Sequence, residues 1–159
     1  MVRTEGIIGR IGHINLYVAD LERSIAFYCD VLGMHETQPT PGASIVFLAY
    51  GASPVDLALQ LVPGATPPPP GHSGFNHAGI ELPSRAALAR TYERLLEHGV
   101  ELNDAQDHGA MLSLYFADPD GNGLEIYWVC PRERWPHQDG RFRMYSQPYD
   151  PSQLFAETE

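Results

Sequence analysis

Two histidines sit at matched places in this chain. His13 in Gly12-His13-Ile14-Asn15-Leu16-Tyr17-Val18 and His77 in Asn76-His77-Ala78-Gly79-Ile80-Glu81-Leu82 each open an alternating stretch, and each precedes a helix-capping residue, Asp20 or Ser84, by seven positions. A lone histidine in a half-buried strand is more often a hydrogen-bonded structural residue than a ligand. A pair at equivalent points of a repeated unit favours a shared metal. A third donor follows in Asp118-Pro119-Asp120-Gly121-Asn122-Gly123-Leu124-Glu125-Ile126-Tyr127-Trp128, where a tight turn feeds a strand with Glu125 projecting opposite Leu124 and Ile126. His13, His77 and Glu125 would form a facial two-imidazole, one-carboxylate set that leaves coordination positions open for substrate and oxygen.

The elements that must carry these side chains follow from periodicity. Residues 11–18 alternate, with Ile14, Leu16 and Val18 on one face and His13, Asn15 and Tyr17 on the other. Asp20 caps a predicted helix bearing Leu21, Ile25, Tyr28 and Leu32, and Gly33 closes it. A short strand, a loop over 37–42, and strands over 44–50 and 54–62 complete a first βαβββ module of about residues 8–62. Pro67-Pro68-Pro69-Pro70 reads as a semi-rigid connector. The order then repeats over about 73–130: a strand over 75–82, a helix capped by Ser84 with Leu88, Tyr92, Leu95 and Leu96 on its apolar side, Gly99 as its stop, and strands near 101–104, 110–117 and 124–129.

The expected fold class is therefore α+β: two βαβββ modules in one domain spanning 1–159, forming a curved sheet around a metal-binding cavity, with an extension over 131–159. Ile14, Leu16, Ala78, Ile80, Leu114, Phe116, Leu124 and Ile126 would meet the helices. His13, His77, Tyr115 and Glu125 would face the concave side. At roughly 2 kcal/mol per large buried apolar side chain, the helix-facing set holds the sheet without metal.

Composition narrows the function. A formal charge of −10, with acids outnumbering bases two to one, disfavours nucleic acid and anionic membranes as partners. The start, Met1-Val2-Arg3-Thr4-Glu5-Gly6, lacks a basic stretch followed by an apolar core, and no apolar run is long enough to cross a bilayer, so a cytoplasmic location is expected. Cys29 and Cys130 are too isolated for a disulfide scaffold or zinc ribbon and read as unpaired thiols. No G-x-G-x-x-G or Walker pattern supports nucleotide binding, and the Asp118-Pro119-Asp120-Gly121 core reads as a turn because the later ligands of a calcium loop are missing.

With these residues in place, 11–135 resembles the vicinal oxygen chelate superfamily of glyoxalase, bleomycin-resistance and extradiol-dioxygenase proteins. The strongest portion is the Asp118 to Tyr127 motif, supported by Leu21-Glu22-Arg23-Ser24-Ile25-Ala26-Phe27-Tyr28. The second half most resembles single-domain relatives of catechol 2,3-dioxygenase, as do Pro131-Arg132-Glu133-Arg134-Trp135-Pro136 and the Leu154-Phe155 region.

The resemblance implies that His13, His77 and Glu125 hold a divalent metal, Fe(II) first, with Mn, Ni or Zn accepted by the same donors. It further implies catalytic roles for His108 and Tyr115, a small aromatic or vicinal-oxygen substrate together with O2, and a homodimer. Read alone, His108 between Asp107 and Gly109 is a surface histidine, and Tyr115 between Leu114 and Phe116 is packing with a satisfied hydroxyl. His35, His72, His98 and His137 read as surface or loop residues.

The chain departs from the family on the strand Val55-Asp56-Leu57-Ala58-Leu59-Gln60, which has no acid–base histidine. Asp56 as a substitute proton carrier and Gln60 as a fourth ligand stand there beside the plainer readings of a solvated Asp and a cavity-lining Gln. Asn15, Phe47 and Tyr127 would line a mixed polar and aromatic pocket. A glyoxalase-like isomerase or lyase, and a non-catalytic ligand-binding protein, are the alternative functions.

Overall fold

The computed structural model describes residues 11–39, 41–67, 69, 71 and 73–156. The expectations for 1–6, the first residues of module one, Pro68, Pro70 and His72 lie outside the described residues. The chain divides into two compact units, Met1–Thr66 and Pro67–Glu159.

In the first unit, β1 (Ile14–Val18) leads through α1 (Leu21–Ala26) to β2 (His35–Glu36), β3 (Ile45–Ala49) and β4 (Leu57–Leu61). The sheet runs β1-β4-β3-β2, with β1 and β4 parallel and the other pairs antiparallel. A parallel pair needs a crossover, and α1 supplies it. Asp20 accepts a hydrogen bond from the Arg23 amide at 3.0 Å, the N-cap read from sequence. The predicted single helix ends early, because its second half is a π-helical turn, Phe27–Val31, with Tyr28 fully buried. Leu16, Val18, Leu48 and Leu59 form the core beneath it.

The second unit repeats the plan. β5 (Ala78–Glu81) is followed by α2 (Arg85–Glu97), β6 (Asp104–Asp107), β7 (Met111–Ala117) and β8 (Gly123–Val129), with β5 and β8 parallel. Ser84 Oγ accepts from the Ala87 amide at 3.0 Å to start α2. Gly99, at φ +68°, ends it in the left-handed region where a side chain is disfavoured. Leu88, Leu95, Leu114, Phe116, Leu124 and Ile126 are almost wholly buried, as their alternation requires. Both units are βαβββ with the same pairing order, so the fold is α+β, built from open sheets rather than a closed barrel.

Two features differ from the sequence reading. The strand expected near 101–104 lies at Asp104–Asp107, because the turn over 108–110 sets the ladder: the His108 amide donates to the Met111 carbonyl at 2.9 Å, and Asp107 pairs with Leu112. The extension is also ordered. A short 3-10 turn (Arg132–Arg134) precedes the ribbon of β9 (His137–Gln138) and β10 (Arg141–Phe142), and β11 (Gln147–Pro148) then adds antiparallel to β6. Proline is tolerated there because β11 is an edge strand. A final turn, Pro151–Leu154, docks on α2 through buried Leu154, a hydrogen bond from Arg85 Nη2 to the Gln153 carbonyl at 2.8 Å, and Phe155 stacked on Tyr92.

Cys29 and Cys130 are unpaired, as expected, and burial pushes both thiols up, which makes them poor nucleophiles. Among the described residues, no helix is long and apolar enough to cross a membrane.

Gly123 opens β8 where the backbone of residues 76–77 passes so closely that a Cβ would collide with the Asn76 carbonyl and press on His77 Cβ. Gly123→Ala is expected to lower stability by about 1–3 kcal/mol, read as a lower urea midpoint with an unchanged m-value. An unchanged midpoint would mean that this approach is not constrained.

Candidate active site

The register of the second sheet lines up one cross-strand row on the face away from the apolar core: Gly79 on β5, Glu125 on β8, Tyr115 on β7 and Asp104 on β6. Their chain neighbours Leu114, Phe116, Leu124 and Ile126 point into the core, so period-two alternation alone brings Glu125 and Tyr115 together. Gly79 makes room for the carboxylate, because a Cβ there would lie 3.2 Å from Glu125 Oε2 and 3.1 Å from the Tyr127 ring.

Glu125 is only 6% exposed, and a buried carboxylate needs compensation. His77 Nε2 stands 3.2 Å from Glu125 Oε2. The other ring nitrogen, Nδ1, lies 2.6 Å from Asn76 Oδ1. An amide oxygen only accepts, so Nδ1 carries a proton, and Nε2 faces the carboxylate either as a second N–H or as a lone pair. Two electron pairs at that distance repel unless a cation shares them, whether a proton on Nε2 or a metal ion. Metal bonds of roughly 2.1 Å at right angles set neighbouring donors about 3 Å apart, so this pair fits adjacent positions of one coordination sphere. Were His77 to hold a metal, the Asn76 contact would be the outer hydrogen bond that orients its ring.

Tyr115 borders the pair. Its ring meets His77 edge-on, with centroids 5.4 Å apart. Its hydroxyl is 3.0 Å from His108 Nε2, and His108 Nδ1 is 3.1 Å from the Tyr145 carbonyl oxygen. The carbonyl can only accept, so His108 carries its proton on Nδ1, and in the neutral ring Nε2 is then an acceptor for the Tyr115 O–H. Burial pushes the Tyr115 phenol up; the Ser113 hydroxyl opposes this, and a hydrogen bond to Glu125 and the charges of Glu125 and Asp104 add to it. Burial first, then Glu81 and Glu125, likewise raise Tyr127, which borders the same row.

Of the five predicted site residues, His77, His108, Tyr115 and Glu125 gather in the second unit. His13 belongs to the first unit, exposed and immediately ahead of β1. Within each unit, among the described residues, no three His, Cys, Asp or Glu side chains form a metal-holding group. In the first unit Asn15, Phe47, Ala58 and Gln60 share a face, and Asn15 Nδ2 donates to Gln60 Oε1 at 3.4 Å. Asp56 is engaged elsewhere, accepting the Tyr50 amide at 2.9 Å across the β3–β4 turn. A cavity of about 680 Å³ in that unit, floored by Ile25, Val46 and Leu61, contains none of the predicted residues.

Asp118 is consumed by its own turn, accepting from the Asp120 and Asn122 amides and from Asn122 Nδ2 at 2.8–2.9 Å, which agrees with the turn reading. His35, His98 and His137 are exposed, as expected. Sequence reasoning passed over Asn76, whose place beside His77 was a usable signal, and Tyr145, whose contribution is a main-chain carbonyl and leaves no trace in residue type.

Residues 10–126 match the model of the Glyoxalase/Bleomycin resistance protein/Dioxygenase superfamily. The chain is 35% identical over 149 residues to a catechol-2,3-dioxygenase of Bacillus subtilis, covering 92% of this chain and 51% of that protein. It is 32% identical over 136 residues to biphenyl-2,3-diol 1,2-dioxygenase 3 of Rhodococcus globerulus, covering 82% and 70%. The chain thus spans about half the length of the Bacillus relative. A glyoxalase/dioxygenase from Nostoc punctiforme superposes with a TM-score of 0.69 at 22% identity, covering 82% of this chain and 98% of that one, a likeness of fold alone. Family match and duplicated βαβββ topology agree, and the chain belongs to the glyoxalase/bleomycin resistance protein/dioxygenase superfamily.

Proposed function

We propose that this chain is a metal-dependent dioxygenase of the extradiol type, acting on a small aromatic diol, with His13, His77 and Glu125 as ligands of a divalent ion, Fe(II) in the first instance. The observation that carries the reading is the Tyr115–His108 hydrogen bond beside the His77–Glu125 pair, which sets an acid–base couple next to two metal donors. The similarity to two diol dioxygenases supports the substrate class.

When bound, the metal would supply the electron transfer and oxygen activation that opening an aromatic diol requires. The remaining work falls to side chains. His108 Nε2 takes up, through the Tyr115 hydroxyl, the proton that the diol releases on binding. Once charged, His108 and its tyrosine stabilise the anionic oxygen that develops and return the proton to the opened product. A raised phenol suits Tyr115 to this role, since it stays a donor throughout the neutral range.

The absence of histidine from β4 favours one second reading. A glyoxalase-like isomerase or lyase would use Gln60 as a fourth ligand and need no oxygen. Turnover of hemithioacetals with Ni(II) or Zn(II), without oxygen uptake, would select it. Tight aromatic binding by metal-free protein would instead point to a ligand-sequestering role.

Anaerobic loading with Fe(II), followed by oxygen uptake over a panel of catechols, is expected to show one O2 consumed per diol; no uptake by fully loaded protein removes the dioxygenase reading. His13→Ala, His77→Ala and Glu125→Ala should each cut bound iron by at least about tenfold at fixed Fe(II). Tyr115→Phe should retain iron and lose roughly 10²–10⁴ in kcat.

In the metal-free protein, Tyr115 keeps its proton at a pH where the unfolded chain, with a tyrosine pKa near 10, has lost it. Its contribution to stability is therefore complete below about pH 10 and is lost as pH rises toward the folded value. Urea denaturation of wild type and Tyr115→Phe across this range should show a shallower high-pH decline in the variant; identical slopes would refute the raised phenol.

A further inference from the structure

The orientation of His108 depends on a segment outside the duplicated modules. Its Nδ1 partner, the Tyr145 carbonyl, lies two residues before β11, and β11 is carried by β6. Asp107, the last residue of β6, ties the two together. Asp107 Oδ1 accepts the Gly109 amide at 2.6 Å, which shapes the turn holding His108. Its Oδ2 receives the Tyr145 hydroxyl at 3.4 Å and Gln147 Nε2 at 3.3 Å. The Tyr145 ring rests on Gly109 so closely that a Cβ there would sit 2.6 Å from it, at φ +77°. Ser146 Oγ adds a hydrogen bond to Gln106 Oε1 at 2.9 Å.

We propose that Asp107 is a positioning residue: by gripping both the 107–109 turn and the 145–147 segment, it holds the Tyr145 carbonyl against His108 Nδ1 and keeps the Nε2 lone pair aimed at Tyr115. An imidazole protonated on Nε2 would present a donor where the tyrosine O–H must be received, and the couple would lose its direction. The catalytic consequence rests on the dioxygenase reading, while the tautomer does not. The tail thereby becomes part of the site, since without it His108 Nδ1 loses the carbonyl that holds its proton.

The test uses full-length, metal-free, ¹⁵N-labelled protein and long-range ¹H–¹⁵N correlation of the imidazoles, with His108 assigned from His108→Gln. Wild type is expected to show a single Nδ1–H tautomer. Asp107→Ala should show a mixture, whereas Asp107→Asn, whose amide oxygen still accepts from the Gly109 amide and whose Nδ2 can donate to the Tyr145 hydroxyl oxygen, should keep the wild-type pattern. The β6–β11 ladder pairs main chain with main chain, so it is expected to remain in Asp107→Ala. If that variant nevertheless fails to fold, Tyr145→Phe/Gln147→Ala leaves the turn intact and must give the same mixture. In iron-loaded protein, Asp107→Ala should lower kcat about tenfold, with KM for the diol changed by less than about twofold and iron content unchanged. An Nε2–H tautomer in wild type, or an unaltered Nδ1–H tautomer in the variant that folds, overturns the proposal. Loss of the dioxygenase reading would appear separately, as wild type that binds iron and consumes no oxygen.

Discussion

A carboxylate buried to 6% exposure and an imidazole nitrogen 3.2 Å away make a demand that the rest of the second unit is built around. Asn76 accepts from Nδ1 on the far side of the His77 ring, so the near nitrogen faces negative charge. Such a pair is stable only with positive charge between its members. Gly79 and Gly123 leave the room in which these two groups are seated, since a Cβ at either would press on Glu125 or His77.

The acid–base couple is attached to that pair by register. Because Tyr115 lies directly across from Glu125 in the β7–β8 ladder, any change that slipped β7 by one residue would send the tyrosine into the core and expose Leu114 or Phe116. The apolar face and the chemical face therefore specify each other. His108 enters from the hairpin turn, and the tail that orients it is anchored at its far end by Leu154 and by Arg85 on α2. Sheet, turn and tail converge on one hydroxyl.

Much of this was legible in the residues. Asp20 and Ser84 announced the two crossover helices, and strict alternation around Leu114 and Ile126 put Tyr115 and Glu125 on the opposite face. The duplication followed from matched spacing, since each histidine precedes a strand, a cap and a crossover. Three parts were not legible, for separate reasons. The π-helical turn over Phe27–Val31 preserves the buried positions of an α-helix, so its pattern looked ordinary. β6 was displaced because its residues, Asp104-Ala105-Gln106-Asp107, have no apolar alternation and are fixed by the Gly109 turn. The strand at Gln147–Pro148 is too short for periodicity, and the Tyr145 carbonyl has no side-chain signature. His108 and Tyr115 were marked only through family resemblance; the hydrogen bond between them is a structural finding.

The superfamily supports several reactions on one scaffold, so the decisive property is what the His77–Glu125 pair holds. Anomalous diffraction from crystals loaded with Fe(II) under anaerobic conditions tests this most directly. Iron bonded at roughly 2.0–2.3 Å to both His77 Nε2 and Glu125 Oε2 is the expected result. Iron bound elsewhere, or a site that stays metal-free while the two groups share a proton, would contradict it.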